Sequence, residues 1–180
     1  SEMCIRDSWM SVLCMAIGIV IGLGCAVARD SVNPVLRGAS ILYTWFFRGA
    51  PLILQLLIWY NLALVFPKVG IPGLFEIKTV MLMTPVLAAV LGFSLNEGAY
   101  VSEIIRAGLL SVDHGQSEAA TAIGMTKPMA LRRIVLPQAM RTVIPPLANE
   151  FISLVKMTSL ASIIGFSDVL HLSLIHISER

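Results

Sequence analysis

Four long apolar runs punctuate the chain. No Asp, Glu, Lys or Arg occurs from Ser8 to Ala28, from Gly49 to Pro67, or from Thr79 to Asn96. A fourth run, Thr142 to Phe166, carries only Glu150 and Lys156. Each is about the 17–25 residues that an α-helix needs to cross a hydrocarbon core. The runs are apolar on every side and do not alternate at period two, so they predict spanning helices and not the strands of a membrane barrel. The first run is too long for a signal-peptide core, and no small-residue cleavage site precedes the next.

Composition agrees. Of 180 residues 57% are hydrophobic and 13% charged, with a mean hydropathy of +0.84. Soluble domains carry roughly 25% charge, and so few charges would not cover a soluble surface. Disorder requires low hydrophobicity, and a net charge of +2 supplies no broad basic face for nucleic acid. Cys4, Cys14 and Cys25 show no CxxC or Cys/His spacing and read as small apolar residues; His114, His171 and His176 are scattered. No metal is assigned.

The few charges set the orientation. Arg29, Arg37 and Arg48 lie between the first two runs, and Arg106, Lys127, Arg132, Arg133 and Arg141 between the last two. Segments two crossings apart face the same side, and the other side has only Arg6, Lys68 and Lys78. The positive-inside bias puts the long 106–141 segment in the cytoplasm. The opposite loop, 66–78, holds Pro67, Gly70, Pro72 and Gly73 as turn-formers. Pro51 predicts a helix start or kink, because the residue before a proline resists the helical region. Residues 33–47 then form a helix near the interface, where Tyr43 and Trp45 suit the headgroup boundary.

The segment from Gly115 to Pro137, GQSEAATAIGMTKPMALRRIVLP, is too polar to span. Ser117 is positioned to cap a short helix with Glu118 in its first turn. Gly124 stops that helix, Thr126 caps a second, Pro128 sits in its first turn, and Pro137 ends it. The result is two short helices lying on the inner membrane face. They suit either a groove on another protein, with Ala119, Ala120 and Ala122 as a smooth flank, or an interfacial position without a partner.

Glu118–Ala119–Ala120, three residues, Gly124, nine residues, then Ile134–Val135–Leu136–Pro137 resembles the EAA loop of ABC-importer permeases at every fixed position. RGAPLILQ (48–55), GAYVSEIIRAG (98–108), LPQAMR (136–141) and KMTSLASIIG (156–165) are similar to the polar amino-acid uptake permeases of histidine/glutamine type. Two positions depart: Met157 stands where that family usually has an acidic residue, and Ala50 where it usually has Thr. The resemblance covers about 10–170, and residues 9–170 are expected to be the permease domain. The flanking 1–8 and 171–180 do not resemble the family and read as foreign sequence around a fragment.

The resemblance implies an all-α polytopic transmembrane bundle, with about four spans of a five-span family fold, and cytoplasmic coupling helices in a bacterial inner membrane. It implies an importer of polar amino acids with a second permease chain, two cytoplasmic ABC ATPases and an extracytoplasmic amino-acid-binding protein. No G-x-x-x-x-G-K-[ST] occurs, so ATP and magnesium belong to the ATPases and the chain is no enzyme by itself. Glu118, Ala119, Ala120, Gly124, Ile134, Leu136 and Pro137 are then the ATPase-coupling residues.

Asn96, Tyr100 and Glu103 share one helix face and point either into the translocation path or to structural polar contacts. Lys156 either lines that path, meeting a substrate carboxylate, or snorkels or pairs with Glu150, Glu103 or Glu97. Thr158 and Ser159 offer helix–helix hydrogen bonds or path contacts. Gly18, Gly22 and the Gly24–Ala28 pair suggest close packing of the first span. Two alternatives remain: an ion-driven secondary carrier using Glu97, Glu103 or Lys156 as relay, and a non-transporting anchor that recruits a cytoplasmic partner.

Overall fold

The structure, a computed structural model, describes residues 2–62, 68–71, 75–78 and 84–158. Helix α1 (Glu2–Arg29) contains the first apolar run and ends with Arg29 in its last turn, where a cation favours the helix dipole. The backbone from Glu2 to Ser8 continues this helix without a break. Among the described helices the Ser8–Arg29 part of α1 is long and apolar enough to cross a membrane.

Helix α2 (Pro34–Gly49) starts where expected, with Asn33 as cap accepting from the Val35 N–H at 3.0 Å and Pro34 in the first turn. Pro51 breaks the chain as predicted. Ala50 and Pro51 are extended (ψ 137° and 133°), and α3 (Leu52–Tyr60) leaves at 103° to α2. If this bent pair is one span, it is a second crossing. The break frees carbonyls, and side chains take them up. Gln55 Nε2 donates to Phe47 O and Ala50 O at 3.0 and 2.9 Å, and Asn96 Nδ2 donates to Phe47 O at 3.0 Å.

The loop expected to be turns alone contains a two-stranded antiparallel ribbon, β1 (Lys68–Ile71) and β2 (Phe75–Lys78), pairing Lys68 with Lys78 and Ile71 with Phe75. The all-α reading holds for the bundle; Val69, Ile71, Phe75 and Ile77 give the ribbon β-branched and aromatic residues that favour strands.

Helix α4 (Pro85–Leu110) is the central element, packed against α1, α2, α3 and α7. It is capped by Thr84, whose hydroxyl accepts from the Leu87 N–H at 3.2 Å. It runs well beyond the apolar stretch that ended at Asn96, because its polar residues turn inward and not to lipid. The α1–α4 seam is close: a Cβ on Gly18 would meet Glu97 Cβ at 2.8 Å, and one on Gly22 would meet Val101 Cγ1 at 2.7 Å. Gly24 is exposed with open space around it, so the small-residue surface narrows to Gly18 and Gly22. Met10, Cys14, Leu56, Phe93, Val101 and Leu154 form much of the core.

Helix α5 (His114–Ala122) corrects the capping expectation. Asp113 is the cap, its carboxylate accepting from the Gly115 N–H at 2.7 Å. Ser117 sits inside the helix and donates to His114 O at 2.8 Å, and Glu118 lies beyond the first turn, 3.1 Å from His114 Nδ1. A charged acceptor four residues earlier outcompetes the serine. Gly124 ends the helix as predicted, at φ +86°. Its N–H donates to Thr121 O and the Met125 N–H to Ala120 O, both at 3.0 Å, the paired bonds of a Schellman cap.

Thr126 caps α6 (Lys127–Ala130) by position, without a side-chain hydrogen bond, and Pro128 lies in its first turn. Pro137 does not end the helix. A π-helical turn (Leu131–Val135) leads directly into α7 (Leu136–Met157), and the Leu136 N–H reaches back to Leu131 O. That widened turn places Pro137 at the start of a new helical frame, where no N–H is required of it. The tail 171–180 and Ser159 lie outside the described residues.

Candidate functional site

Two features stand out, one within the bundle and one outside it. The first is a cavity of about 490 Å³ at the α2–α3 break, closed by α4 and α7. Arg48, Asn96, Glu97, Tyr100, Glu150 and Ser153 give it polar walls, and Met157 lines it as well. On α4, positions 96, 97 and 100 bring three side chains to one side; on α7, positions 150, 153 and 157 recur at helical spacing.

Glu97 is 4% exposed and its Oε2 has no hydrogen-bond partner. A buried acceptor without a partner costs about 1–3 kcal/mol, a cost Glu97 shares with Gln55, Ser94 and Ser102. The Arg48 guanidinium lies 5.3 Å from the centre of the Tyr100 ring, a cation–π distance. The cavity thus presents two carboxyl groups and one guanidinium within a half-closed space.

The expected path residues separate on this geometry. Asn96 and Tyr100 line the cavity, although the Asn96 amide also braces the helix break. Glu103 lies one turn further on, in a neighbouring cavity of about 450 Å³ that includes Arg29, Arg48 and Tyr100. There it accepts from Arg29 and, at 3.2 Å, from Arg106 Nε. Thr158 is buried and donates to Val155 O at 2.7 Å, turned onto its own helix. Lys156 is exposed on α7. Arg48, Glu97 and Glu150 complete the cavity; the sequence offers Glu97 as a relay or an ion-pair partner and Glu150 as an ion-pair partner of Lys156, not as residues of the translocation path.

The second feature is the α5 elbow. Ala120 is 1% exposed and anchors α5, while Glu118, Ala119 and Gly124 face outward. A cleft of about 810 Å³ runs between α5 and the π-turn, lined by Glu118, Thr121, Lys127, Ala130, Leu131 and Val135. Ile134 is half-buried, and Leu136 and Pro137 are exposed at the start of α7. The elbow therefore offers a small-residue helix face and a carboxylate to an outside partner.

Comparison with known proteins places this geometry. Residues 18–179 match the family described as binding-protein-dependent transport system inner membrane component. The chain is 45% identical over 159 residues to an arginine transport system permease protein of Corynebacterium glutamicum, covering 88% of this chain and 50% of that protein. It is 44% identical over 162 residues to a probable amino-acid permease protein of Bacillus subtilis, covering 89% of this chain and 67% of that one. A crystal structure of an amino acid ABC transporter with histidines superposes with a TM-score of 0.84 at 35% identity, covering 99% of this chain and 78% of that chain. The chain thus spans between half and about two thirds of the length of these two permeases.

Proposed function

The chain belongs to the family of binding-protein-dependent transport system inner membrane components, and from that membership we propose that it is the permease of an ATP-driven importer of polar amino acids. The observation that carries the substrate class is the cavity at the α2–α3 break. An amino acid is a zwitterion; we assign its ammonium group to Glu97 and Glu150 and its carboxylate to Arg48, all three of which line the cavity. Opposite charges are strongest where water is excluded, and the cavity lies between packed helices.

Energy enters at the elbow. ATP and magnesium are held by two cytoplasmic ATPase subunits, and the outward face of α5 seats in a groove of each ATPase across a permease dimer. Glu118 supplies a carboxylate, Ala119 permits close approach, and Gly124 fixes the angle. ATPase closure draws α5 inward, and α7 carries the movement to Glu150 and Ser153 at the cavity. An extracytoplasmic amino-acid-binding protein delivers the solute from the opposite side.

The test is uptake in proteoliposomes holding the protein with the ATPase and binding proteins of its gene neighbourhood. Uptake is expected to require ATP, and Glu118→Lys is expected to abolish it while the protein stays in the membrane. Glu97→Gln is expected to lower uptake and leave basal ATP hydrolysis intact. Uptake that survives ATP depletion and collapses with an ion gradient would instead establish the secondary carrier. Co-purification of a cytoplasmic partner with no uptake at all would establish the anchor.

A further inference from the structure

A third cleft, of about 390 Å³, lies outside both features and has no part in the transport reading. It is lined by Arg29, Asp30, Ser31, Arg37, Ile41 and Arg106. Its three guanidinium groups come from three elements: the last turn of α1, the first turns of α2 and the C-terminal part of α4. Glu103 accepts from both Arg29 and Arg106, so one carboxylate orients two guanidinium groups and leaves each with free donors. Arg37 makes no ion pair with a described residue. Asp30 also lines the cleft, one carboxylate among the three guanidinium groups.

The position of the cleft narrows its occupant. Arg29 is the residue at which the charge-free stretch of α1 ends, so the cleft sits where hydrocarbon gives way to headgroups. Alongside it α2 presents an apolar outer face, Val35, Leu42, Trp45 and Phe46 at helical spacing, with Trp45 72% exposed. Such a face suits acyl chains, and an exposed tryptophan suits the headgroup boundary. A soluble anion would need the guanidinium groups but not the adjoining apolar face.

We propose that this cleft binds the phosphodiester headgroup of an anionic phospholipid, with the acyl chains lying along the apolar face of α2. The guanidinium groups of Arg29 and Arg106, already fixed by Glu103, donate to phosphate oxygens in the forked geometry that arginine provides. Arg37 closes the headgroup from the lipid side, and Trp45 marks the boundary.

The experiment uses the full chain in phosphatidylcholine vesicles, with Trp45 left as sole tryptophan by Trp9→Phe and Trp59→Phe. Brominated phosphatidylglycerol is expected to quench Trp45 at lower mole fraction than brominated phosphatidylcholine. Arg37→Gln is expected to weaken that preference about fivefold, the effect of one basic residue at an anionic surface, and Arg37→Lys to retain most of it. Arg133→Gln, an exposed change on the π-turn, is expected to leave it unaltered. Equal quenching by the two lipids overturns the proposal, and so does an equal loss in Arg133→Gln, which would report only general surface charge. Displacement of phosphatidylglycerol by millimolar inorganic phosphate would assign the cleft to a free anion. Native mass spectrometry of the unsubstituted chain gives a readout independent of the tryptophan replacements: retained phosphatidylglycerol that Arg37→Gln loses supports the site, and indiscriminate lipid retention refutes it.

Discussion

Replacing Gly124 isolates the coupling elbow from everything else in the bundle. Gly124 holds φ +86°, and a Cβ built there meets nothing within 4 Å. The penalty of Gly124→Ala is therefore one of backbone conformation, not collision. An L-residue in the left-handed region costs about 1–2 kcal/mol, a factor of roughly 5–30 in the balance between the bent elbow and its alternatives. The elbow depends on that conformation, because the bonds from Gly124 N–H to Thr121 O and from Met125 N–H to Ala120 O form only with it. Without them α5 tends to continue as helix, and α6 and α7 no longer leave at the same angle.

Initial rates of ATP-dependent uptake, normalised to protein in the membrane, should fall in the order Gly, Asn, Ala, Val at position 124. Asn visits the left-handed region more readily than Ala, and β-branched Val least of all. Gly38→Ala is the matched control: that site also has open space, but its helical backbone suits alanine, which should stabilise α2 by about 0.5–1 kcal/mol. Wild-type uptake by Gly124→Val would refute the reasoning, as would an equal loss from Gly38→Ala.

Gly22→Ala places a Cβ 2.7 Å from Val101 Cγ1 and 3.0 Å from the Ser102 backbone nitrogen; it should cost about 1–3 kcal/mol by overpacking and lower the detergent melting temperature, whereas Gly24→Ala should not. Asp113→Ala removes the α5 cap, worth about 1 kcal/mol, and should speed amide exchange at Gly115; unchanged exchange would return the capping role to another residue. Gln55→Leu leaves Ala50 O without the Gln55 donor and Phe47 O with Asn96 alone. It should destabilise the protein by about 1–3 kcal/mol, and an unchanged melting temperature would show that the break is held in some other way.

What could be read from the sequence follows the range of the forces involved. The charge-free stretch of α1, the start of α2 near Asn33, the break at Pro51 and the Gly124 elbow each depend on nearby residues, and each was legible. Of the cavity, Asn96 and Tyr100 were legible from their shared helix face; the whole was not, because it is assembled from pairings across the chain. Gln55 and Asn96 reach the same Phe47 carbonyl from 8 and 49 residues away. The apolar stretch ending at Asn96 also understated α4, since burial against α1, α2, α3 and α7 lets one helix carry Asn96, Glu97 and Tyr100 inward. The chemistry of those residues says polar; only packing says which way they face.

Pro137 shows how a local rule fails and what the failure makes possible. Taken alone, a proline after a helical stretch ends it, and that expectation separates the coupling motif from the membrane helix that follows. The π-turn spends one extra residue to reset the hydrogen-bond frame, so the helix passes through Pro137 and continues to Met157. Leu136 and Pro137, the last residues of the loop motif, are thereby the first residues of α7. From Leu136 to Glu150 the helix continues through Pro145 and Pro146, each of which removes a backbone donor and favours a kink. At about 1.5 Å per residue it spans roughly 21 Å along its path, joining elbow to cavity without an intervening loop. A loop there would absorb displacement in its own torsions. A helix that bridges elbow and cavity instead passes displacement of one end to the other, which is the movement the proposed coupling calls for.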